Sequence, residues 1–165
     1  MKVGGSYIIP VEPGRAYTLL QDPDILARCM PGCEQLARIG EDEYEMKMKM
    51  VISSVQGLFA GKVRLTDQNP PDNFRLLVEG RGKVGFMKGE GLLALAAAQM
   101  GDNLETISGT EVRYDGEVNV GGMMAGVGQR LLDVTAKLVI RKFFEKLVVA
   151  IAERDAPVPP EEIAE

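Results

Sequence analysis

The sequence predicts an α+β protein in which an antiparallel sheet wraps around one long C-terminal helix. Apolar and polar residues alternate with period two through most of the first 120 or so residues, as in strands with one dry face and one solvated face. From about Met123 the apolar spacing changes to that of a helix. The 165 residues are enough for a single domain, which we assign to residues 1–154.

The chain begins with a strand and two short helices. Tyr7 and Ile9 indicate the first strand. Pro13 opens a helix, since the first turn tolerates a missing amide donor. The second helix starts at Asp22-Pro23, an N-cap residue followed by proline in the first helical position. It should end before Pro31, because the residue preceding a proline is pushed out of the helical region.

Alternating strands make up most of the middle of the chain. The clearest alternation covers residues 44–52, 59–66, 74–79 and 111–120. In the first of these segments Met46, Met48 and Met50 share one face, and the opposite face is charged. A parallel α/β sheet would instead show continuous apolar runs and crossover helices, so an antiparallel sheet is the better interpretation.

The segment from Phe86 to Asn103 is ambiguous. Met87, Leu93 and Leu95 fit a strand, whereas the alanines between residues 94 and 98 suit a helix equally well. We predict a strand that ends near Gly101-Asp102.

The final helix is predicted to run from roughly Met123 to Arg154. Its apolar stripe consists of Met124, Val127, Leu131, Val134, Leu138, Phe144, Leu147 and Ile151. A helix of this length spans on the order of 45 Å, enough to cross the whole sheet. Residues 155–165 are acidic and proline-rich, and we predict that this tail is disordered.

The composition excludes several classes of function. The net charge of -5 argues against a nucleic-acid partner. The absence of histidine removes the Ser–His and Cys–His catalytic arrangements and the usual metal ligand, so we predict no catalytic residues, no metal and no cofactor. No segment is apolar enough to predict a membrane span, and the first residues do not resemble a secretory signal. We therefore expect a cytoplasmic protein.

Two short motifs have a structural and a chemical interpretation. Gly80-Arg81-Gly82-Lys83-Val84-Gly85 fits the dinucleotide pattern G-x-G-x-x-G, but that motif requires a helix to follow. Glycines that let a strand bend are the better interpretation. Cys29 and Cys33 lack the spacing and the further ligands of a redox or metal pair, so we interpret them as small core residues.

A small-molecule cavity is the functional hypothesis that the residues themselves suggest. Methionine side chains adapt to irregular apolar ligands, and Met87 adds to the three methionines of the first clear strand. The helix begins with small residues, which against a concave sheet leave either very close packing of the two backbones or a cavity, and we favour the cavity. Plain core packing is the alternative for any single methionine. The predicted lining is Met46, Met48, Met50, Val63, Leu76, Tyr114, Met124 and Leu131. The predicted entrance is Gly121, Gly122, Met123, Gly126 and Gly128.

The sequence also resembles the CoxG family of carbon monoxide dehydrogenase subunits, within the START-like (SRPBCC, helix-grip) superfamily. The resemblance runs from about residue 1 to 153 in order. It rests on Asp22-Pro23-Asp24, Met30-Pro31-Gly32-Cys33-Glu34, Gly57-Leu58-Phe59-Ala60-Gly61, Pro70-Pro71, Gly80-Arg81-Gly82, Gly85-Phe86, Gly109-Thr110, Val120-Gly121-Gly122, Gly128-Gln129-Arg130-Leu131 and Phe143-Phe144.

The resemblance implies a helix-grip fold, with seven antiparallel strands around the long helix and two short helices after the first strand. It also implies an accessory protein to a molybdenum-containing carbon monoxide dehydrogenase or related hydroxylase, with a lipid-like or quinone-like ligand in its cavity. Peripheral contact at the inner face of the membrane and pairing into a homodimer are both compatible with it. Two other functions stay open: a small START-like enzyme of the cyclase or hydrolase type, and an assembly factor without a ligand.

Overall fold

The computed structural model describes residues 1–101 and 106–154. The predicted disordered tail and the predicted strand end at Asp102 lie outside these residues. The strands are β1 (Lys2–Ile9), β2 (Cys33–Gly40), β3 (Glu43–Ile52), β4 (Val55–Asn69), β5 (Asn73–Gly82), β6 (Gly85–Gly101) and β7 (Thr106–Gly121). The helices are α1 (Pro13–Leu19), α2 (Pro23–Cys29) and α3 (Gln129–Arg154), and a 3-10 helix covers Gly122–Val127.

The strands form one antiparallel sheet in the order β1-β7-β6-β5-β4-β3-β2. Consecutive strands from β2 to β7 are neighbours, and β1 joins the free edge of β7. The predicted α+β fold class is therefore confirmed, with both short helices placed between β1 and β2. The ambiguous segment after Phe86 is a strand, as predicted, and pairs along its length with β7.

The register of β3 agrees with its predicted faces. Tyr44 and Ile52, at the two ends of the inward face, are buried, and Met46, Met48 and Met50 between them are half-buried. The charged residues that alternate with them point outward and are exposed. A shift of one residue would have reversed every face, so the alternation identified the inner side of the sheet correctly.

Two separate hydrophobic clusters lie between the sheet and α3. The main cluster joins α1, α2 and the C-terminal half of α3, where Phe143, Phe144 and Leu147 are buried. The second cluster lies at the other end of the sheet and is centred on Ile52, Phe59, Met124 and Leu132. Helix α3 connects the two clusters along its length.

The N-terminus of the long helix was predicted incorrectly. Residues 122–127 form a 3-10 helix, and α3 begins only at Gln129. Gly128, between them, has φ 99° and ψ 150°, a backbone conformation that interrupts an α-helix and favours glycine. The predicted apolar stripe was also wrong at Val134, which is 58% exposed, and at Leu138, which is 36% exposed.

The two cysteines lie in and just after α2. Cys29 is completely buried in the main cluster and Cys33 is half-buried, and both are free thiols. Burial raises the pKa of each thiol above its usual value. The nearby cations Arg28 and Lys146 partly offset the rise in the pKa of Cys29. A hydrogen bond with the Gln35 backbone partly offsets the rise for Cys33. A reactive cysteine requires the opposite shift. The predicted core position is confirmed for Cys29, whereas Cys33 is half-buried and belongs to neither cluster.

Removing a side chain from the main cluster should strongly destabilise the fold. Leu147 is fully buried, and Leu147→Ala leaves a cavity that typically lowers the free energy of unfolding by about 2–5 kcal/mol. Val149 lies on the same helix but is 54% exposed, so Val149→Ala is the matched control and should change little. Urea denaturation measures both. Equal losses would contradict the assignment of the core face of α3.

Cysteine alkylation should be slow in the native protein. Because burial raises both thiol pKa values, less thiolate is present at pH 8 in the folded protein than in the unfolded chain. We expect the native protein to react more slowly with iodoacetamide than the urea-unfolded chain, and Cys33 to react before Cys29. The rate should rise as the pH rises through the thiol pKa. Rapid native labelling of Cys29 at neutral pH would contradict its place in the core.

Candidate functional site

The middle of α3 covers the sheet without burying side chains against it. Within α3, all of whose residues the structure describes, no side chain between Leu132 and Phe143 is buried. This interval is about 15 Å long at the rise of an α-helix. Ile140, within this interval, is partly buried where it packs against the main cluster. The interval is therefore packed less tightly than the buried parts of the helix on either side.

The backbone of α3 approaches the margins of the fold more closely than its centre. Its close approaches are to α2, to the edge strand β1, to β3 and to the 3-10 helix. Ion pairs fix its C-terminal end to α2, between Arg28 and Glu153 and between Arg154 and Asp22. The C-terminal end of the helix is thus attached to α2.

Glycines occupy much of the inner face of the sheet below this interval. Met46, Gly61, Gly80 and Met87 are consecutive partners across β3, β4, β5 and β6. At Gly61 an added Cβ would lie 2.8 Å from the Glu79 carbonyl oxygen, so the sheet bends too sharply there for a side chain. A cross-strand row with two glycines at its centre leaves a shallow hollow bordered by methionines.

A narrow apolar cleft occupies this hollow. It is lined by Met46, Met48, Met50, Phe59, Gly61, Val78, Glu79, Gly80, Met87 and Met124. Its volume is about 20 Å³, which is room for about one water molecule. Ligand pockets typically measure about 300–1,000 Å³, so a ligand of that size requires the surrounding side chains to move apart.

The structure brings together half of the residues that the sequence predicts as a lining. Met46, Met48, Met50 and Met124 border the cleft. Val63, Leu76 and Tyr114 face the same side of the sheet but pack against the main cluster, and Leu131 packs against the second cluster. Val63, Leu76 and Tyr114 therefore lie away from the cleft, whereas Leu131 shares the second cluster with the lining residues Phe59 and Met124.

Other lining residues were missed, although a usable signal existed. Phe59 and Gly61 belong to the apolar face that includes Val63, and Val78 and Gly80 share a face with Leu76. The alternation therefore places all four on the inner side. Gly61 and Gly80 were overlooked because a search for lining side chains disregards residues that have none.

The predicted entrance residues lie in the 3-10 helix or directly beside it. Met123 is 63% exposed and Met124 is buried. The amide of Met124 donates to the Val84 carbonyl at 2.9 Å, which attaches this segment to the β5–β6 turn. The ring of Phe86 covers Gly121. At Gly126 and Gly128 an added Cβ would have no heavy atom within 4 Å, so this part of the connection borders open space.

Neither Tyr44 nor Tyr114 is among the residues that line the cleft. Tyr44 donates its hydroxyl proton to the Gln21 carbonyl at 2.5 Å and accepts a hydrogen bond from Arg38 at 2.9 Å, away from the cleft. Burial, and secondarily the neighbouring Tyr7, raise the pKa of the Tyr114 hydroxyl. Within residues 1–101 and 106–154, no group of His, Cys, Asp or Glu residues is placed to hold a metal ion.

A larger concavity, of about 390 Å³, lies on the outer face of the sheet. Two rows of side chains border it, one containing Arg64, Leu77 and Glu90, the other Lys62, Glu79 and Lys88. Both signs of charge alternate along it, and Glu90 lies directly opposite Glu117. Long exposed side chains with mixed charge are ordinary for a solvated sheet face, so volume alone does not make this the better candidate site.

The dinucleotide interpretation of residues 80–85 is excluded by their structure. These residues end β5, form a turn and begin β6. A phosphate-binding fingerprint needs a helix N-terminus directly after its glycines, and here a strand follows. As a separate finding, no helix in the described part of the chain is long and apolar enough to cross a membrane.

Comparisons with known proteins agree with this fold. A conserved protein from Geobacillus kaustophilus is 34% identical and superposes with a TM-score of 0.82, over 93% of this chain and 96% of that one. A START superfamily protein from Mycobacterium smegmatis is 12% identical, with a TM-score of 0.63 over 92% and 97% of the two chains. A protein from Thermus thermophilus is 15% identical, with a TM-score of 0.65 over 94% and 100%.

The solved structures below 25% identity show the fold alone. No protein with a curated description matches the sequence significantly. The sequence does match the CoxG family of carbon monoxide dehydrogenase subunits over residues 5–152, which include nearly all of the sheet, the three helices and the whole cleft. The chain therefore belongs to the carbon monoxide dehydrogenase CoxG family and has a START-like fold.

Proposed function

We propose that this chain is a non-catalytic binding protein for a hydrophobic small molecule of the lipid or quinone type. The observation that supports this most directly is the apolar cleft bordered by methionines on the inner face of the sheet. Met46, Met48 and Met87 are half-buried there, and the cleft adjoins the second cluster at Phe59 and Met124. Half-buried methionines can move apart to admit an apolar guest.

The chemistry of the cleft suits a flexible apolar ligand. Its lining contains five methionines, and Glu79, the one ionisable residue named in the lining, is exposed and belongs to the outer-face row of Lys62 and Lys88. Methionine has three rotatable bonds and a polarisable sulfur, so it can repack around different shapes at low cost. The cleft of about 20 Å³ is then the collapsed state, and an isoprenoid or acyl chain would separate the methionines as it enters.

Family membership supports an accessory role beside a carbon monoxide dehydrogenase or a related molybdenum hydroxylase. Such a partner passes electrons to an acceptor, and a quinone carried by this chain would provide one. Two free cysteines fit a reducing compartment, and the proposal includes a cytoplasmic location at the inner face of the membrane. An enzyme of the cyclase or hydrolase type is less well supported, because the Tyr44 hydroxyl is already hydrogen-bonded to the Gln21 carbonyl and to the Arg38 guanidinium.

The entrance to the cleft is proposed at the 3-10 helix. Met124 closes the cleft on this side, and its backbone is attached to the rest of the fold by the bond to Val84. Gly122 and Gly128, at φ 78° and 99°, flank the segment as flexible joints. Displacement of Met123 and Met124 would open the cleft without disturbing the main cluster.

The ligand itself should be found by organic extraction and mass spectrometry of the purified protein. We expect a co-purifying isoprenoid or lipid in the wild-type protein and its loss in Gly80→Leu. Gly80 lines the cleft, and an added Cβ there would lie no closer than 3.8 Å to a neighbour. The new side chain would therefore occupy the guest's space while the backbone stays unstrained.

Gly40→Leu is the matched control, because Gly40 ends β2 in an exposed position with comparable room for a Cβ. It should retain the ligand. Thermal unfolding should show that both variants are folded. An empty wild-type protein that also fails to take up a prenylated benzoquinone would contradict the proposed function, as would equal ligand content in both leucine variants.

A second substitution tests the entrance separately from the cleft. Gly126→Leu adds bulk at the 3-10 helix where nothing lies within 4 Å, so the variant should fold. We expect slower uptake of a prenylated benzoquinone, with the same amount bound at saturation, because the path narrows while the cleft is unchanged. Stopped-flow quenching of tyrosine fluorescence follows the uptake. Unchanged kinetics would place the entrance elsewhere.

A further inference from the structure

One face of α3 points away from the sheet, opposite the buried Phe143 and Leu147, and is exposed along most of the helix. Exposed residues follow one another on this face at alternating intervals of four and three: Val134, Leu138, Arg141, Glu145, Val148 and Ala152. This spacing keeps side chains on one line of a helix, and it is the spacing by which helices pack together in coiled coils. We call these residues the seam.

The seam exposes apolar side chains at both of its ends. Val134 is 58% exposed and Leu138 is 36% exposed near one end, and Val148 is 37% exposed near the other. Val149, which borders the seam beside Val148, is 54% exposed. Isolated exposed apolar residues need no explanation, but a line of them at helix-packing intervals is typical of a face that pairs with another helix. The ends of the seam therefore indicate a partner helix.

The centre of the seam carries one cation and one anion. Arg141 and Glu145 lie one turn apart, with 3.6 Å between Arg141 Nε and Glu145 Oε1, and their side chains are 59% and 65% exposed. An exposed pair of this kind contributes little to the stability of a single chain. Both groups therefore remain available to opposite charges on another molecule.

The seam is complementary to itself when a second copy runs antiparallel to it. Its intervals are the same in both directions along the helix, so a twofold axis beside Phe143 would place Arg141 opposite Glu145 of the second copy. The same axis would place Leu138 opposite Val148 of the second copy. Apolar side chains then face apolar ones and each charge faces its opposite, whereas parallel helices would place Arg141 opposite itself. Pairing of one patch with itself about a twofold axis is the commonest arrangement in soluble oligomers.

We propose that α3 pairs through the seam with α3 of a second copy of this chain, which gives an antiparallel homodimer. From Val134 to Ala152 the seam is about 27 Å long at the rise of an α-helix. One helix face of this length is small beside stable protein interfaces, so the dimer should form only at about micromolar concentrations and above. Lys142 would lie near its own copy across the axis, and Glu145, three residues along the helix, offsets this repulsion.

An antiparallel dimer leaves both clefts accessible. The seam begins at Val134 and the 3-10 helix ends at Val127, so the proposed entrance lies outside the paired segment. Antiparallel helices also place the two entrances at opposite ends of the dimer. The inference does not depend on the proposed function, since pairing of the helices requires no ligand.

Sedimentation equilibrium of the full chain over a range of concentrations tests the proposal. We expect a reversible equilibrium between monomer and dimer. Glu145→Arg would place arginines opposite each other at two symmetric positions and should weaken dimerisation by about tenfold or more, and Arg141→Glu should act in the same way. The two substitutions combined exchange the charges and should restore dimerisation to within about threefold of the wild type. Val134→Ser combined with Val148→Ser should also weaken it, by removing the apolar contacts.

Matched controls use exposed side chains of the sheet. Arg64 and Glu43 form an ion pair on the outer face, with 2.8 Å between Arg64 Nη2 and Glu43 Oε1, so Arg64→Glu makes the same kind of charge reversal away from α3. Leu58→Ser removes an apolar side chain that is 59% exposed. Both controls should dimerise like the wild type, and thermal unfolding should show that all variants are folded.

Three results would overturn the proposal. A wild-type protein that stays monomeric at every concentration would leave the seam to a different protein. Equal losses in seam and control variants would place the dimer contact elsewhere. Failure of the exchanged pair, Arg141→Glu with Glu145→Arg, to restore dimerisation would contradict the antiparallel arrangement.

Discussion

The close approach of backbone to backbone at the glycines of the inner face is the constraint on which the rest of this structure depends. At Gly116 an added Cβ would lie 2.6 Å from the Glu90 carbonyl oxygen, and the corresponding distance at Gly61 is 2.8 Å to the Glu79 oxygen. The sheet can bend this sharply only where side chains are absent. The buried side chains of α3 correspondingly lie at Leu132 and from Phe143 onward, on either side of a less buried middle.

The two ends of the domain differ in how much apolar surface they bury. The main cluster, reinforced by stacking of Tyr7 on Phe144 with ring centroids 4.5 Å apart, holds α1, α2 and α3 together. The second cluster is smaller and includes a 3-10 helix between two glycines of positive φ. Stability is thus concentrated away from the cleft, and the end that has to open is the end with less buried apolar surface. Local opening of a weakly packed end costs less than global unfolding.

The sequence predicted correctly those strands and helix starts whose residue pattern is compatible with only one kind of structure. Period-two alternation identified the strands and placed Met46, Met48 and Met50 on the inner face, and Asp22-Pro23 identified the start of α2. It failed at the start of α3, because the apolar spacing near Met124 does not reveal that Gly128 adopts φ 99°. It also failed for Val134 and Leu138, since a helix that bridges two clusters does not need one continuous buried stripe. The lining at Gly61 and Gly80 depends on contacts between strands that are distant in sequence, which alternation alone does not provide.

The central claim is that the cleft bordered by methionines accepts an apolar guest. It is tested most directly by nuclear magnetic resonance of protein labelled with ¹³C at the methionine methyl groups, because five of the nine methionines line the cleft and the others lie elsewhere. On titration with a prenylated benzoquinone, the account predicts saturable shifts at Met46, Met48, Met50, Met87 and Met124. Met30, which packs against the main cluster, should stay unchanged. Shifts confined to methionines outside the cleft, or no shifts at all, would contradict the account.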